Sequence, residues 1–257
     1  MLVTGAGGFI GRHLVKALVS EGYRVIALDK RPTSFEGPVK VIVGDITSYD
    51  FDRLFKREEV AGVLHLASHL GTTELFYRVI EAEMVNVVGL LRILEAMRKN
   101  DVEKIVFTSK PNVWKNNVYT ITKENAERYL GMYREIYGMK SIITRPFNVY
   151  GPGELPGRYR NVIPNFIYWA IKHKPLPITG TGEETRDFTF VDDAVNATIK
   201  AVEAKEAIGE AFNIASGIEI KIIDVANKVN KLTGNSAGVI FKPRRDWDRS
   251  LKRRASI

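Results

Sequence analysis

The chain has 257 residues, 45% of them hydrophobic and 26% charged, and no cysteine. That leaves room for one large domain or a domain with a smaller lobe, and it excludes disulfides, thiolate metal sites and cysteine nucleophiles. Net charge is +8, but seven basic and two acidic residues within 242–254 supply +5 of it, whereas a duplex-binding domain spreads its basic residues over a face.

The expectation is therefore a soluble α/β protein of a reducing, cytoplasmic compartment, with no nucleic-acid, membrane or metal partner. No stretch approaches the roughly 20 apolar residues that span a bilayer. The glycine-interrupted start MLVTGAGGFIG lacks the basic leader of a signal peptide. The arginines near the end suit a pyrophosphate ligand.

In chain order, short apolar runs alternate with longer amphipathic ones, the pattern of βαβ units around a parallel sheet. A very short strand closes at Val3 and a helix begins near Phe9. Strands are predicted at Arg24 to Leu28, Val39 to Val43, Gly62 to Leu66, Ile105 to Thr108 and Ser141 to Thr144. The clearest helix is Met84 to Lys99, whose Val87, Leu90, Leu91 and Leu94 share one face. A second runs from about Tyr119 to Tyr137. After Tyr150 the turn-rich GPGELPG changes the texture. Helices are then expected at Phe166 to His173, Asp192 to Glu203 and Ile222 to Leu232, and strands at Ala211 to Ile214 and Val239 to Phe241. The predicted organisation is a Rossmann-type doubly wound parallel sheet over 1–150, interleaved with a smaller α/β substrate lobe over 151–257.

Thr4 to Gly11 (TGAGGFIG) places Gly5, Gly8 and Gly11 between that first strand and first helix. Gly5 allows the tight turn, Gly8 lets backbone approach a pyrophosphate, and Gly11 lets helix and strand pack closely. Free N–H groups and the positive helix end then meet the anion. Asp29 ends the second strand eighteen residues beyond Gly11. An acid there binds the adenosine ribose hydroxyls and favours NAD over NADP, although Lys30 and Arg31 follow directly. Asp45 and Ile46 after the third strand suggest an adenine clasp, or else a turn leading into the next helix. Leu66, Ala67 and Ser68 close the fourth strand where small residues admit a cofactor. His65 reads as a hydrogen-bonded core histidine, and Asn86 as a tie between its helix and a neighbouring strand.

Tyr119 and Lys123 stand four residues apart on one helix face. A phenol with a pKa near 10 is a poor base at neutral pH. A fixed cation nearby stabilises the phenolate and brings proton transfer within reach. The same lysine can hold a nicotinamide ribose.

TGAGGFIG, Asp29, GDI, HLAS, NVVGLLRILEAMR, YTITK, RPFNVYGPG, TRDFTFVDDAVNA and FNIASG follow one another along nearly the whole chain. Together they resemble the extended short-chain dehydrogenase/reductase family, nearest its NAD-dependent nucleotide-sugar epimerases and dehydratases. The resemblance implies a UDP-glucose 4-epimerase-like activity. Tyr119 would act as base in a transient oxidation to a keto-sugar that turns in the pocket and is reduced on its other face. It extends the cofactor contacts to Phe9, Ile10 and Pro146. It assigns the nucleotide diphosphate to Asn148, Asn161, Val162, Arg186 and Arg249, the alternative for Arg186 being a salt bridge with Asp187 or Asp192. It also suggests a homodimer through the two long helices, with Leu130, Met132, Tyr133 and Tyr137 as an apolar face.

Three departures from the family pattern stand out. Where that pattern has a Ser or Thr, this chain has Lys110, in Thr108-Ser109-Lys110. Strand alternation puts Thr108 on the face of Lys110 but about 6.6 Å back, with Ser109 opposite. Either Lys110 meets the substrate oxygen or the strand end is remodelled so that a hydroxyl does. The loop 111–118 is short, with Thr72, Thr73 and Glu74 as candidates to compensate. Pro111-Asn112 also replaces the Asp-Glu of sugar dehydratases, which favours epimerisation. Both chain ends are short against the pattern. A dehydrogenase of the same fold and a non-catalytic NAD or nucleotide-sugar binder are the other readings.

Overall fold

A computed structural model describes residues 1–71, 74–111, 116–157 and 161–244. They form two compact units between which the chain passes more than once. The first is Met1–Pro146 with Asp192–Phe212, and the second is Phe147–Val191 with the described residues from Asn213 on.

In the first unit, β1 (Leu2–Thr4), β2 (Val25–Asp29), β3 (Val39–Val43), β4 (Val63–His65), β5 (Lys104–Thr108) and β6 (Lys140–Pro146) enter a seven-stranded sheet. Its order is β11-β6-β5-β4-β1-β2-β3, with β11 spanning Ala211–Ile214. The pairs from β6 to β3 are parallel, for example Val3 opposite Ala27 and Leu64, and Phe107 opposite Ile143. Strands covered on both faces favour apolar residues, and β1, β2 and β4 are buried along their whole length, each apolar up to a last polar residue. The helices are α1 (Phe9–Ser20), α2 (Phe51–Arg57), α3 (Val79–Glu83), α4 (Gly89–Lys99) and α5 (Val118–Tyr137). A core of Leu28, Leu54, Leu90, Leu94, Phe107 and Leu130 joins α2, α4 and α5 to the sheet. The doubly wound α/β reading of the sequence describes this unit.

Helix α7 (Val191–Glu203) brings the chain back into the first unit from Asp192 on. Asp192 lies 3.4 Å from His13 on α1, the Tyr23 hydroxyl donates to Glu203 at 2.9 Å, and Lys104 Nζ donates to the Val202 carbonyl at 3.0 Å. No helix among the described residues is long and apolar enough to cross a membrane.

The second unit carries β7 (Val149–Tyr150), α6 (Val162–Ile171), β8 (Leu176–Thr179), β9 (Thr185–Asp187), β10 (Thr189–Phe190), β12 (Glu219–Lys221), α8 (Ile222–Thr233) and β13 (Val239–Lys242). Its sheets have two strands each: β7 with β10, β8 with β13, and β9 with β12. Phe166, Leu176, Ile178, Phe188 and Ala226 form a separate small core.

Candidate active site

The glycine turn joins β1 to α1 with little space to spare. Gly5 has φ +70°, and a Cβ on it would stand 2.7 Å from the Ala67 nitrogen. A Cβ on Gly11 would stand 2.2 Å from the Gly5 carbonyl oxygen. Gly8 is the N-cap of α1, where no side chain caps the helix. The first N–H groups, over Phe9 and Ile10, are thus presented without a side-chain acceptor, which is the local structure an anion needs. Leu66 and Ala67 abut this turn at the end of β4. The Thr4 hydroxyl is 3.4 Å from the Ala67 N–H and 2.7 Å from His65 Nδ1. Burial and the Lys123 charge pull the His65 pKa down to about 3, so the ring is neutral.

Asp29 ends β2 facing the turn. Its Oδ2 accepts the Gly7 N–H at 2.9 Å and its Oδ1 accepts the Arg31 N–H at 3.0 Å. Gly7, absent from the sequence-derived set, eases this approach, because a Cβ there would lie 3.1 Å from the carboxylate and the Asp29 side chain would have to give by a few tenths of an ångström. Asp45 uses one oxygen for the Thr47 N–H and hydroxyl, at 2.9 and 2.7 Å, which holds its carboxyl below the usual range. The turn-forming alternative therefore describes that oxygen. Ile46 packs in the core of the first unit, with its Cδ1 2.6 Å from where a Gly89 Cβ would be.

Asn86 is a hub. It lies in a π-helical turn, Met84–Val88, within what the sequence reads as one continuous helix. Its Oδ1 accepts from the His69 N–H at 2.7 Å and the Ser68 hydroxyl at 2.9 Å. Its Nδ2 donates to the His69 carbonyl at 3.2 Å and the Thr122 hydroxyl at 3.0 Å. The tie runs to the loop after β4 and to α5 instead of to a strand. A π-turn shifts one residue's direction at a functional site.

Asn117 caps α5, accepting the Thr120 N–H at 2.9 Å, and so fixes the turn that carries Tyr119 and Lys123. Lys123 is 2% exposed. Its Nζ donates to the Thr108 carbonyl at 2.8 Å and lies 4.5 Å from the Phe107 ring centroid. Burial pulls its pKa to about 7 against the opposing charge of Glu127. Burial also pushes the Tyr119 phenol above its ordinary value. Desolvation alone sets the direction of the phenol's shift, and the expected lowering by the lysine does not accompany it.

The residues preceding the short loop also depart from expectation. β5 ends at Thr108, so strand alternation stops there, and Ser109 and Lys110 both reach carboxylates on α5. The Ser109 hydroxyl donates to Glu127, which also accepts from Arg145 on β6. Lys110 is buried, 3.1 Å from Glu124 and 3.3 Å from the Pro111 carbonyl. It neither trails into solvent nor stands as an open donor, and Ser109 is no free hydroxyl. Thr108 remains half-buried at the strand end. Thr72, Thr73 and Asn112 lie outside the described residues, and Glu74 opens an exposed 3₁₀ turn.

In the second unit, Asn148 has φ +35°, a strained value for a non-glycine residue, and its amide donates to the Asp187 carbonyl at 2.6 Å. Asn161 precedes Val162 at the start of α6 and donates to Glu154 at 2.6 Å. Arg186 donates to its neighbour's carbonyl, Thr185, at 2.7 Å. Asp187 accepts from the Ser216 and Gly217 N–H groups, both at 2.9 Å. Pro146 ends β6 in the first unit, and Arg249 lies outside the described residues.

A family model described as the NAD dependent epimerase/dehydratase family matches residues 1–215. The chain belongs to this family. The solved structure of an epimerase from Methanothermobacter thermautotrophicus superposes with a TM-score of 0.92 at 38% identity, covering 100% of this chain and 83% of that one. A Thermotoga maritima UDP-glucose 4-epimerase, solved with UDP-glucose, gives 0.91 at 28%, covering 99% and 89%. A UDP-N-acetyl-alpha-D-glucosaminuronate decarboxylase of Bacillus cytotoxicus is 31% identical over 269 residues, 94% of this chain and 83% of its own. Solved neighbours also include a Thermus thermophilus UDP-glucose 4-epimerase complexed with NAD, and curated relatives include dTDP-D-glucose 4,6-dehydratases. The protein is an NAD-dependent enzyme of the epimerase/dehydratase family. The uncapped start of α1, the cradle that a Cβ at Gly5 or Gly11 would fill, and Asp29 fit that dinucleotide.

Proposed function

We propose that the protein is a nucleotide-sugar epimerase of the UDP-glucose 4-epimerase type, with Tyr119 as the proton-transferring group. The observation that supports this most is the rigid start of α5. Asn117, Thr122 and Asn86 fix the turn bearing Tyr119 and Lys123, and the latter is anchored on the end of β5. NAD, when bound at the glycine turn, would supply the acceptor for a hydride from the sugar carbon and the donor for its return. The phenolate of Tyr119 would take the proton of the sugar hydroxyl, becoming the neutral phenol, and the phenol would return that proton after the keto-sugar has turned. Lys123 would hold the nicotinamide ribose and supply positive charge beside the developing phenolate. Gly5, Gly8, Phe9, Ile10, Gly11, Asp29, Asp45, Leu66, Ala67, Ser68 and Pro146 would line the cofactor, with Lys30 beside Asp29. Asn148, Asn161, Val162, Arg186 and Arg249 would meet the nucleotide diphosphate.

Pro111-Asn112 provides no carboxylate to expel water, which favours epimerisation over dehydration among the activities of the relatives. Purified protein is expected to interconvert UDP-glucose and UDP-galactose without accumulating NADH at 340 nm. Stoichiometric NADH release would instead mark a dehydrogenase. The engagement of Ser109 and Lys110 by carboxylates favours one second reading, a nucleotide-sugar binder without turnover. In that case Tyr119→Phe would leave the protein's measurable role unchanged.

The proposed assembly is a homodimer. Leu130 and Tyr133 are buried in the subunit's own core and drop out of the apolar face the sequence suggested. Ile121, Tyr129, Met132 and Ile136 form an exposed stripe along α5 at eight-, three- and four-residue spacings, and Tyr77 and Ile80 are exposed on the 3₁₀ turn and the α3 helix that pack against α5.

A further inference from the structure

We propose that the C-terminal ends of α6 and α8 form a surface that docks reversibly on an anionic phospholipid bilayer. This goes beyond the epimerase reading and uses none of the residues assigned to cofactor or sugar.

The sequence sets the charge of this surface. No acidic residue occurs between Glu154 and Glu183, or between Asp224 and Asp246. All of α6 and all but the first turn of α8 fall in those two stretches. Lys172, Lys174, Lys228 and Lys231 are exposed there, and none has a carboxylate partner among the described residues. Lysines near a helix C-terminus are ordinary, because they answer the helix dipole. The apolar residues beside them are not. Ile171 is 66% exposed and Leu232 77%.

Folding brings these residues to one edge of the second unit. α6 packs along α8, and the Asn235 amide donates to the Lys174 carbonyl at 3.1 Å, which sets the two helix ends side by side. Lys172 Nζ lies 4.3 Å from the centroid of the Tyr168 ring and donates to its hydroxyl at 2.6 Å. Lys174 Nζ lies 5.6 Å from the centroid of the Trp169 ring. Protruding aliphatic side chains, a Tyr–Trp pair and lysines without carboxylates match a bilayer surface. The aliphatics enter the headgroup boundary, the aromatics sit at its level and the ammonium groups meet lipid phosphates. The core of a protein–protein interface is instead depleted in lysine. The expectation of no membrane partner rests on the lack of a spanning run, and a surface contact needs none.

Flotation of the full chain with vesicles of phosphatidylcholine, alone or with phosphatidylglycerol as a quarter of the lipid, tests the proposal. Partitioning should be about tenfold stronger onto the anionic vesicles and should weaken as salt rises. Ile171→Gln with Leu232→Gln, and separately Lys172→Gln with Lys231→Gln, should each weaken it about tenfold. All four residues are exposed, so both variants should keep the wild-type melting temperature. The aliphatic variant separates this surface from the basic segment 242–254, which would adsorb through charge alone. Failure to float with anionic vesicles overturns the proposal, whether or not polyglutamate, the probe for an acidic protein partner, binds. Flotation that the aliphatic variant leaves unchanged overturns it too. Either result leaves the epimerase reading standing, since that reading fails only on the absence of sugar interconversion.

Discussion

Burial acts on Tyr119 and Lys123 in opposite chemical senses, making the phenol a weaker acid and the ammonium a stronger one. Proton transfer by Tyr119 therefore depends on positive charge being present beside the phenol when the substrate is bound. Tyr119→Phe is expected to lower kcat by about a thousandfold, within the range for a lost acid–base group. Dinucleotide affinity should stay within threefold, and steady-state kinetics with calorimetry check both. Lys123 also leaves a mark on stability. With a folded pKa of about 7 and an ordinary value of 10.5, the unfolded chain binds more protons than the folded one between those values. Stability should therefore rise with pH across that window, by at most ~1.4 kcal/mol per pH unit. Below pH 7 both states are protonated and the slope from this residue vanishes. Urea unfolding at pH 7 and 9 should show the rise in the wild type and a flatter response in Lys123→Met, whereas equal slopes would remove Lys123 as its source.

At the level of elements, α5 is the member on which the site converges. Its Asn117 cap, Thr122, Lys123, Glu124 and Glu127 each hold a different part of the surrounding structure. Glu127 accepts from Ser109 and Arg145 and is mostly buried. Glu127→Ala strands a partly buried guanidinium and should cost about 2–3 kcal/mol, somewhat less than the loss of one partner from a fully buried ion pair. Thermal unfolding measures it. Gly11→Ala should be at least as severe, because its methyl would meet backbone that cannot give way, and it should abolish dinucleotide binding in any protein that still folds.

Elements whose signal is local were legible in the sequence. β3 and β11 have the predicted ends, and α5 begins one residue before Tyr119, because apolar periodicity and the Asn117 cap define them without help from elsewhere. The π-turn at Asn86 was not legible, since its cause is a hydrogen-bonding demand from loop and helix residues 17 and 36 positions away. The partners of Ser109 and Lys110 were missed for a related reason. Strand alternation was extended past Thr108, and nothing in a three-residue run marks where the ladder stops. The short strands of the second unit depend on pairing with distant segments and carry little pattern of their own.

At the scale of the whole molecule, the chain leaves the first unit at Phe147 and re-enters it at Asp192, so the two units share one chain without being consecutive. Ile136 on α5 is 66% exposed and Ile80 on α3 is 79% exposed, an arrangement that a second copy would relieve. Size-exclusion chromatography with light scattering should give twice the subunit mass at micromolar concentration, and Ile80→Asp with Ile136→Asp should give a monomer. A wild-type monomer contradicts the dimer. The central claim is that one protein-held dinucleotide takes a hydride from the sugar and returns it to the same carbon. The most direct test follows deuterium from UDP-glucose labelled at C4 through its conversion to UDP-galactose. The label should be retained at C4 with no NADH released, whereas label lost to solvent or to free NADH, or no conversion while Tyr119 is intact, would contradict hydride return within one site.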